Sequence, residues 1–300
     1  VLMARILAVG LSCLDIVNVV SHFPEEDSDT RALEQRRQPG GNVTNTLIIL
    51  GRLGVRCSFF GAVANTDDGQ YCLEAFSKAG VSTDLAVRVP GVHPTSYITV
   101  NRQNGSRTIV HYRECTEPGF KEFRERVNAS EFDWIHFEGR NIEDTRQMMS
   151  WVRQDHPHIK LSVELEKHLE GSADLAPLAD LVLFNRVWGE ANGYSCATDV
   201  LSAFAPKRRP EAQLVCAWGT DGAWAMAADD TVTHCGIFPP AVVVDTLGAG
   251  DTFNAGVLTG LCTGRALPVA VEAGCRLAGR KCGLAGYDGL SWSDLGFQED

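Results

Sequence analysis

Residues 242–254 read Val-Val-Val-Asp-Thr-Leu-Gly-Ala-Gly-Asp-Thr-Phe-Asn, and this stretch decides the fold. Three consecutive β-branched residues, Val242 to Val244, read as the end of a buried strand. Gly248, Ala249 and Gly250 predict a tight turn with almost no side chain. Apolar spacing resumes at Phe253, Val257, Leu258 and Leu261, which is a helical rhythm, and Gly264 is a natural stop. The stretch therefore predicts a strand, a glycine turn and a helix. Such a turn leaves backbone N–H groups unpaired at the positive end of a helix dipole, and that is an anion site. Asp251 falls in the first helical turn. A helix cap would account for it. Beside bound polyphosphate, however, a carboxylate is repelled. It belongs there only if it acts on a third group, such as a hydroxyl about to attack phosphorus.

The longer string, Asp-Thr-x-Gly-Ala-Gly-Asp-Thr-Phe-Asn, resembles the signature of the ribokinase-type (PfkB) carbohydrate kinases. The resemblance implies that Gly248, Ala249 and Gly250 form the anion hole for the transferring phosphoryl group, with Asp251 as catalytic base. It also implies an α/β fold: a ribokinase-like, doubly wound, mainly parallel sheet with helices on both faces, plus a small β-sheet lid.

Bulk properties agree with a soluble α/β protein. Three hundred residues, 44% apolar and 22% charged, suffice for one large domain with an appendage. None of the ten cysteines forms a C-x-x-C pair, and several sit in apolar runs such as Leu214-Val-Cys-Ala-Trp218. They read as reduced, mostly buried thiols of a cytoplasmic protein, without zinc-ligand spacing. A net charge of −11 argues against nucleic acid and anionic membranes as partners. It also demands local positive charge wherever a polyphosphate binds. Val-Leu-Met-Ala-Arg leads straight into a strand rather than a signal peptide, and no apolar run has the ~18 residues of a membrane span. The sequons at Asn42 and Asn128 are expected to be fortuitous.

Residues 4–10 read as a first strand. Asp15 interrupts the apolar run that follows; it could be a turn residue or a carboxylate bonding sugar hydroxyls. The spacing Gly10-x4-Asp15-x8-Pro24 resembles the family's N-terminal motif, which implies the sugar-binding role. Segments 14–20 and 30–37 could form two strands of a small sheet outside the core. Thr95–Asn101 and Ser106–Tyr112 alternate about Asn104-Gly105, a two-residue hairpin signal. The predicted division is residues 1–12, 38–92 and 116–300 for the kinase core, with 13–37 and 93–115 as lid insertions. The resemblance implies that the lid closes over sugar and that two lids clasp in a homodimer.

Gly40-Gly41-Asn42-Val43-Thr44-Asn45 predicts a glycine turn opening a helix, with Asn42 and Asn45 on one face. Two amides suit a polyol, although Asn42 alone would serve as an N-cap. The resemblance assigns Gly41, Asn42 and Asn45 to the sugar; many relatives carry Lys at the position of Asn42. Short apolar segments at 57–64, 134–141, 159–165, 181–185 and 214–218 alternate with helical stretches, the pattern of a doubly wound sheet. Ligands then bind beyond the strand C-termini.

No Walker A, protein-kinase or GxGxxG motif occurs. Arg107 on the hairpin is the candidate lid cation for the phosphates, with Arg140 and Lys167 as further candidates. Glu164 and Glu166 share one strand face and could hold magnesium-bound water or a surface salt bridge. Mg²⁺ itself is expected mainly on ATP and water. Where the family often shows Asn-x-x-Glu, Asn185 is followed by Trp188, and Glu190 comes two residues later. The resemblance implies a nucleotide loop at Gly219, Thr220, Asp221 and Gly222, and adenine walls at Phe238, Pro239, Cys275, Ala278 and Gly279. It also implies a K⁺ ion behind the anion hole, with Asp245 as one ligand. Three stretches, Trp134–Asn141, Asp245–Asn254 and Lys281–Gly289, together with Asn42, resemble the branch that uses ATP to phosphorylate D-fructose at its C1 hydroxyl. Other sugar and nucleoside kinases, and a non-catalytic sugar sensor, are the alternatives. The last ten residues, Ser291–Asp300, are acidic and weakly patterned and read as a frayed terminus.

Overall fold

A computed structural model describes residues 4–297. The chain runs β1 (Arg5–Val9), β2 (Cys13–Val20), β3 (Glu34–Gly40), α1 (Asn42–Arg52), β4 (Arg56–Phe60), β5 (Ala62–Ala64), α2 (Asp67–Lys78), β6 (Val87–Val89), β7 (Thr95–Asn101), β8 (Arg107–Tyr112), α3 (Phe120–Arg126), β9 (Trp134–Glu138), α4 (Ile142–Asp155), β10 (Lys160–Leu165), β11 (Leu181–Asn185), α5 (Arg186–Ala191), α6 (Ala197–Phe204), β12 (Gln213–Ala217), β13 (Ala223–Met226), β14 (Val232–Cys235), α7 (Ala249–Cys262) and α8 (Leu267–Cys282).

Eight strands form the main sheet in the order β14-β13-β12-β11-β10-β9-β1-β4. From β12 to β4 every pairing is parallel; β13 and β14 add an antiparallel edge. Alternation along β1 feeds two cores. Ile6 and Ala8 pack with α1, α2, α7 and α8, whereas Leu7 and Val9 pack with α3, α4 and α6. Burial on both faces is why these strands read as continuous apolar runs. The chain builds outward from β1 to β4, then returns to β9 on the other side. The strand order therefore reverses at β1, and a crevice opens beyond the strand ends there.

A separate four-stranded sheet, ordered β3-β2-β7-β8, stands over that end. Val17 and Ile98, paired across β2 and β7, are buried on one face and Leu14 on the other, and strand β8 is exposed throughout.

The structure corrects several expectations. Val242–Val244 are not a buried strand: they are 69, 62 and 56% exposed and belong to no sheet. Pro239-Pro240 just before them interrupts strand pairing, and of the three only Val244 is tied down, its N–H donating to the Cys282 carbonyl. The β7–β8 hairpin closes by a four-residue loop, not a two-residue one. Asn101 pairs with Ser106, and the Gly105 amide donates back to the Asn101 carbonyl with Gly105 at φ 70°. Gly61 breaks the single strand expected at 57–64 into β4 and β5. Residues 291–297 are not frayed. Ser291 and Asp294 cap a 3₁₀ turn at Trp292–Leu295, Leu295 is buried, and Trp292 meets Phe297 edge-on. Residues 298–300 of that expectation lie outside the described ones.

Candidate active site

Helix α7 starts where the sequence places it. Gly248 is its N-cap at φ 78°, a left-handed conformation that favours glycine. A Cβ there would stand 2.0 Å from Tyr287 Oη, so the turn is closed against that ring. Among the described residues no hydrogen bond reaches the amides of Gly248, Gly250 or Asp251. Three unpaired donors at a helix start form an anion cradle.

Asp251 is buried, and its Oδ2 accepts a 2.7 Å hydrogen bond from Asn45 Nδ2. Burial pushes its carboxyl well above the usual carboxylate range; the Asn45 bond opposes this, while Glu166, Glu138 and Asp15 reinforce it. Asn45 Oδ1 is a buried acceptor without a partner. Asn42 Nδ2 donates to Glu166 Oε2 at 2.7 Å, which spends half of the amide pair. Gly41, at φ 100°, opens α1 so tightly that a Cβ would stand 2.4 Å from the Leu11 carbonyl oxygen.

Asp15, on β2, is buried against Gly40, whose missing Cβ makes room for the carboxylate. Burial raises its pKa to about 6, although Cys13 and Ser96 donate to it. Glu164 donates nothing to a surface salt bridge: it is buried, its Oε1 accepts from Asn254 Nδ2 at 2.8 Å, and its Oε2 is unpartnered. Glu164 and Glu166 both line a cavity of about 700 Å³ that also touches Asn42, Glu138, Arg140 and Lys167. The cavity does not reach the glycine turn itself.

Arg107, from the start of β8, brings Nη1 within 3.4 Å of Thr246 Oγ1 and 3.5 Å of its carbonyl, two residues before Gly248. Arg140 is not available for phosphate: it is held between Glu117 at 2.7 Å and Glu138 at 2.9 Å, and these carboxylates push its pKa further up against the effect of burial. Asn185 caps α5 through the Trp188 amide, Trp188 is core, and Glu190 pairs with Arg186 on the surface.

Of the five adenine-wall candidates, Phe238 and Gly279 meet directly. Gly279 lets the Phe238 carbonyl lie against α8, where a Cβ would be 1.9 Å away. Cys275 is buried with its thiol toward the Cys235 carbonyl, and Arg276 sits 4.3 Å from the Phe238 ring centre. Gly219–Asp221 form a 3₁₀ turn after β12. Gly222, at φ 89°, brings this loop onto the Cys235 carbonyl.

Asp245, the expected K⁺ ligand, is surrounded by protein donors. Its Oδ2 takes Lys281 Nζ at 2.9 Å and Arg36 Nη2 at 3.0 Å, its Oδ1 takes the Leu247 amide at 2.9 Å, and its carbonyl takes Lys281 Nζ again at 2.7 Å. Burial works to raise its pKa, but Lys281, the Leu247 amide and Arg36 outweigh burial and hold it low. All three Asp245 oxygens thus accept from protein donors. Arg36, Lys281, Glu138, Asn254 and Tyr287 escaped the sequence reading. Lys281 carried a signal: it follows Ala270, Gly274 and Leu277 on the buried stripe of α8.

Comparisons with known proteins bear on the family and the fold. The chain is 39% identical to ketohexokinase of Mus musculus over 294 residues, covering 95% of this chain and 98% of the relative. It is 25% identical to fructosamine kinase FrlD of Bacillus subtilis (strain 168), over 96% and 94% of the two chains. The fold matches that of ribokinase from Giardia lamblia with a TM-score of 0.85 at 16% identity, over 98% and 99% of the chains. The model of the pfkB family carbohydrate kinases matches residues 3–289. The chain, with its glycine turn, Asp251 and mixed ribokinase-like sheet, belongs to the pfkB family of carbohydrate kinases.

Proposed function

We propose that this chain has ketohexokinase activity, transferring the terminal phosphoryl group of ATP to the C1 hydroxyl of D-fructose. The observation that carries this is the Asn45–Asp251 hydrogen bond beside the three unpaired amides of the Gly248–Asp251 turn. Phosphoryl transfer asks for positioning and charge neutralisation rather than covalent chemistry. The turn supplies donors for the transferring group. Asp251 takes the proton of the attacking hydroxyl. Asp15, Gly41, Asn42 and Asn45 bind the sugar, and the partnerless Asn45 Oδ1 suits a sugar hydroxyl. Similarity to mouse ketohexokinase supports a ketohexose such as fructose; C1 rests on the motif resemblance, and the residues alone support a small polyol.

Arg107 supplies lid charge to the phosphates. The nucleotide lies along Gly219–Gly222 with adenine against Phe238, Pro239, Cys275, Ala278 and Gly279. Among the described residues no group of three or more His, Cys, Asp or Glu could hold a metal. Mg²⁺ thus arrives on ATP, with Glu164 Oε2, a buried acceptor without a partner, and Glu166 suited to bind its water. When bound, Mg²⁺ neutralises phosphate charge. K⁺ has no part at Asp245 in this reading, because Lys281 already occupies its oxygens.

The small sheet, from residues 13–37 and 93–115, acts as the lid. Its exposed outer strand supports a homodimer through lid contacts. No described helix is long and apolar enough to cross a membrane, and the ten unpaired cysteines suit the cytoplasm.

The test is ADP release from MgATP with D-fructose, D-ribose, adenosine or no sugar, with NMR of the product. Turnover with fructose alone and phosphate on C1 is expected. Turnover with ribose or adenosine instead transfers the mechanism to another substrate. No turnover by folded protein that binds ATP points to a sugar sensor.

A further inference from the structure

Lys281 is wholly buried, and its ammonium has one carboxylate for company. An ammonium leaves water only at a high cost unless it is paired and hydrogen-bonded. Here Nζ donates to both Asp245 Oδ2 and the Asp245 carbonyl, so one residue grips it by two oxygens. The Tyr287 ring closes the far side, its centre 5.8 Å from Nζ. The same ring stops the Gly248 turn. Asp245 Oδ1 in turn accepts the Leu247 amide, which leads directly into Gly248. A continuous chain of contacts thus runs from Lys281 through Asp245 and Leu247 to the anion cradle.

We propose that Lys281 is a positioning residue for phosphoryl transfer, an internal cation that takes the place of an exchangeable monovalent metal ion at Asp245. The inference rests on the kinase reading above. Two features carry it. First, the Asp245 oxygens that a metal would need already accept from Lys281, Arg36 and Leu247. A further cation would share one carboxylate with an ammonium and a guanidinium at contact distance, which Coulomb repulsion opposes. Second, the ammonium lies directly behind a turn that must attract polyphosphate in a chain of net charge −11. It fixes the turn and adds permanent positive charge to it.

The experiment compares wild type with Lys281→Ala and Lys281→Met. Turnover is measured in tetramethylammonium chloride, with NaCl, KCl, ammonium chloride or ethylammonium chloride added at constant ionic strength. Rubidium-soaked crystals of each protein are examined for anomalous scattering at Asp245. Expected for wild type is no rubidium at Asp245. Expected for Lys281→Ala is a fall in kcat of at least about tenfold, with a smaller change in KM for sugar. Ethylammonium, ammonium or K⁺ then restores part of kcat, and rubidium appears beside Asp245. Lys281→Met, which refills the space without charge, loses kcat and is not rescued.

Rubidium bound at Asp245 of wild type would overturn the proposal. So would a Lys281→Met enzyme with wild-type kcat in tetramethylammonium chloride. If neither variant folds, the wild-type crystal alone decides. Wild type without turnover on any sugar removes the kinase reading, and the rubidium result still tests the cation claim.

Discussion

Asn45 and Asp251, 206 positions apart in the chain, are joined by a 2.7 Å hydrogen bond between the first turns of α1 and α7. The bond commits Oδ2 and leaves Oδ1 for a substrate hydroxyl. It also limits how far burial can raise the carboxyl's pKa. Asp251→Asn keeps shape and removes basicity. We expect a folded protein with turnover reduced about 10²–10⁴-fold, measured as kcat beside circular dichroism. Near-normal turnover in that folded variant would falsify the base assignment.

Gly248 and Tyr287 give a second test. Gly248→Ala forces Cβ onto Tyr287 Oη and places alanine at φ 78°. The turn must shift, moving amides from the phosphoryl group, and loss of a single such donor costs about 10²–10³-fold in kcat. Tyr287→Phe removes a buried hydroxyl that has no partner, so it should cost nothing in stability or add about 1 kcal/mol. Combining it with Gly248→Ala relieves the clash but not the φ strain. The double variant should melt above Gly248→Ala and below Tyr287→Phe.

Asp15 should make stability depend on pH in a predictable direction. Its pKa is raised by burial from 3.8 to about 6. Folding therefore favours the protonated form. The associated stability is fully present below pH ~4, lost as pH rises to ~6, and flat above. Asp15→Asn removes this dependence. Denaturation from pH 4 to 7 should show the variant gaining on wild type by ~2–3 kcal/mol, all of it below about pH 6. Its KM for sugar should rise at every pH at which the wild-type carboxylate is ionised. A stability difference independent of pH would contradict the buried setting of Asp15.

Arg107 lies on an exposed strand and leans on Thr246 by long contacts of 3.4–3.5 Å. Such contacts contribute little to folding. Arg107→Gln should leave the melting temperature within a degree or two and raise KM for ATP several-fold, more at low salt than at high salt. An unchanged KM for ATP would place the phosphates away from the lid.

The glycine turn and helix α7 were legible because each depends on local backbone conformation; the sugar roles of Asp15 and Asn42 came only from a motif resemblance. What escaped depends on long-range meeting. Nothing near Arg36 announces that it will reach Asp245, and Lys281 declares itself only by interrupting a buried helical stripe. Val242–Val244 misled because β-branched residues report a preference for extended backbone, not burial. Arg140 follows a strand as an active-site cation would, yet Glu117, supplied from another segment, claims it.

The lid's outer face yields the last prediction. On β8, Val110 and Tyr112 are about half to two-thirds exposed, and Tyr97, paired with Val110 from β7, shares their face. Strand β8 also presents an unpaired edge, a template for another chain. Apolar residues collected on one exposed edge mark an interaction surface. We expect light scattering to report a dimer at micromolar concentration. Val110→Glu should shift it to monomer without changing the melting profile of the core, because Val110 supports no buried contact of the main sheet. If the lids also close each other's sugar sites, the monomer should show a raised KM for sugar. Wild-type protein that is monomeric at that concentration would remove the dimer from the proposed function and leave the chemistry at Asp251 untouched.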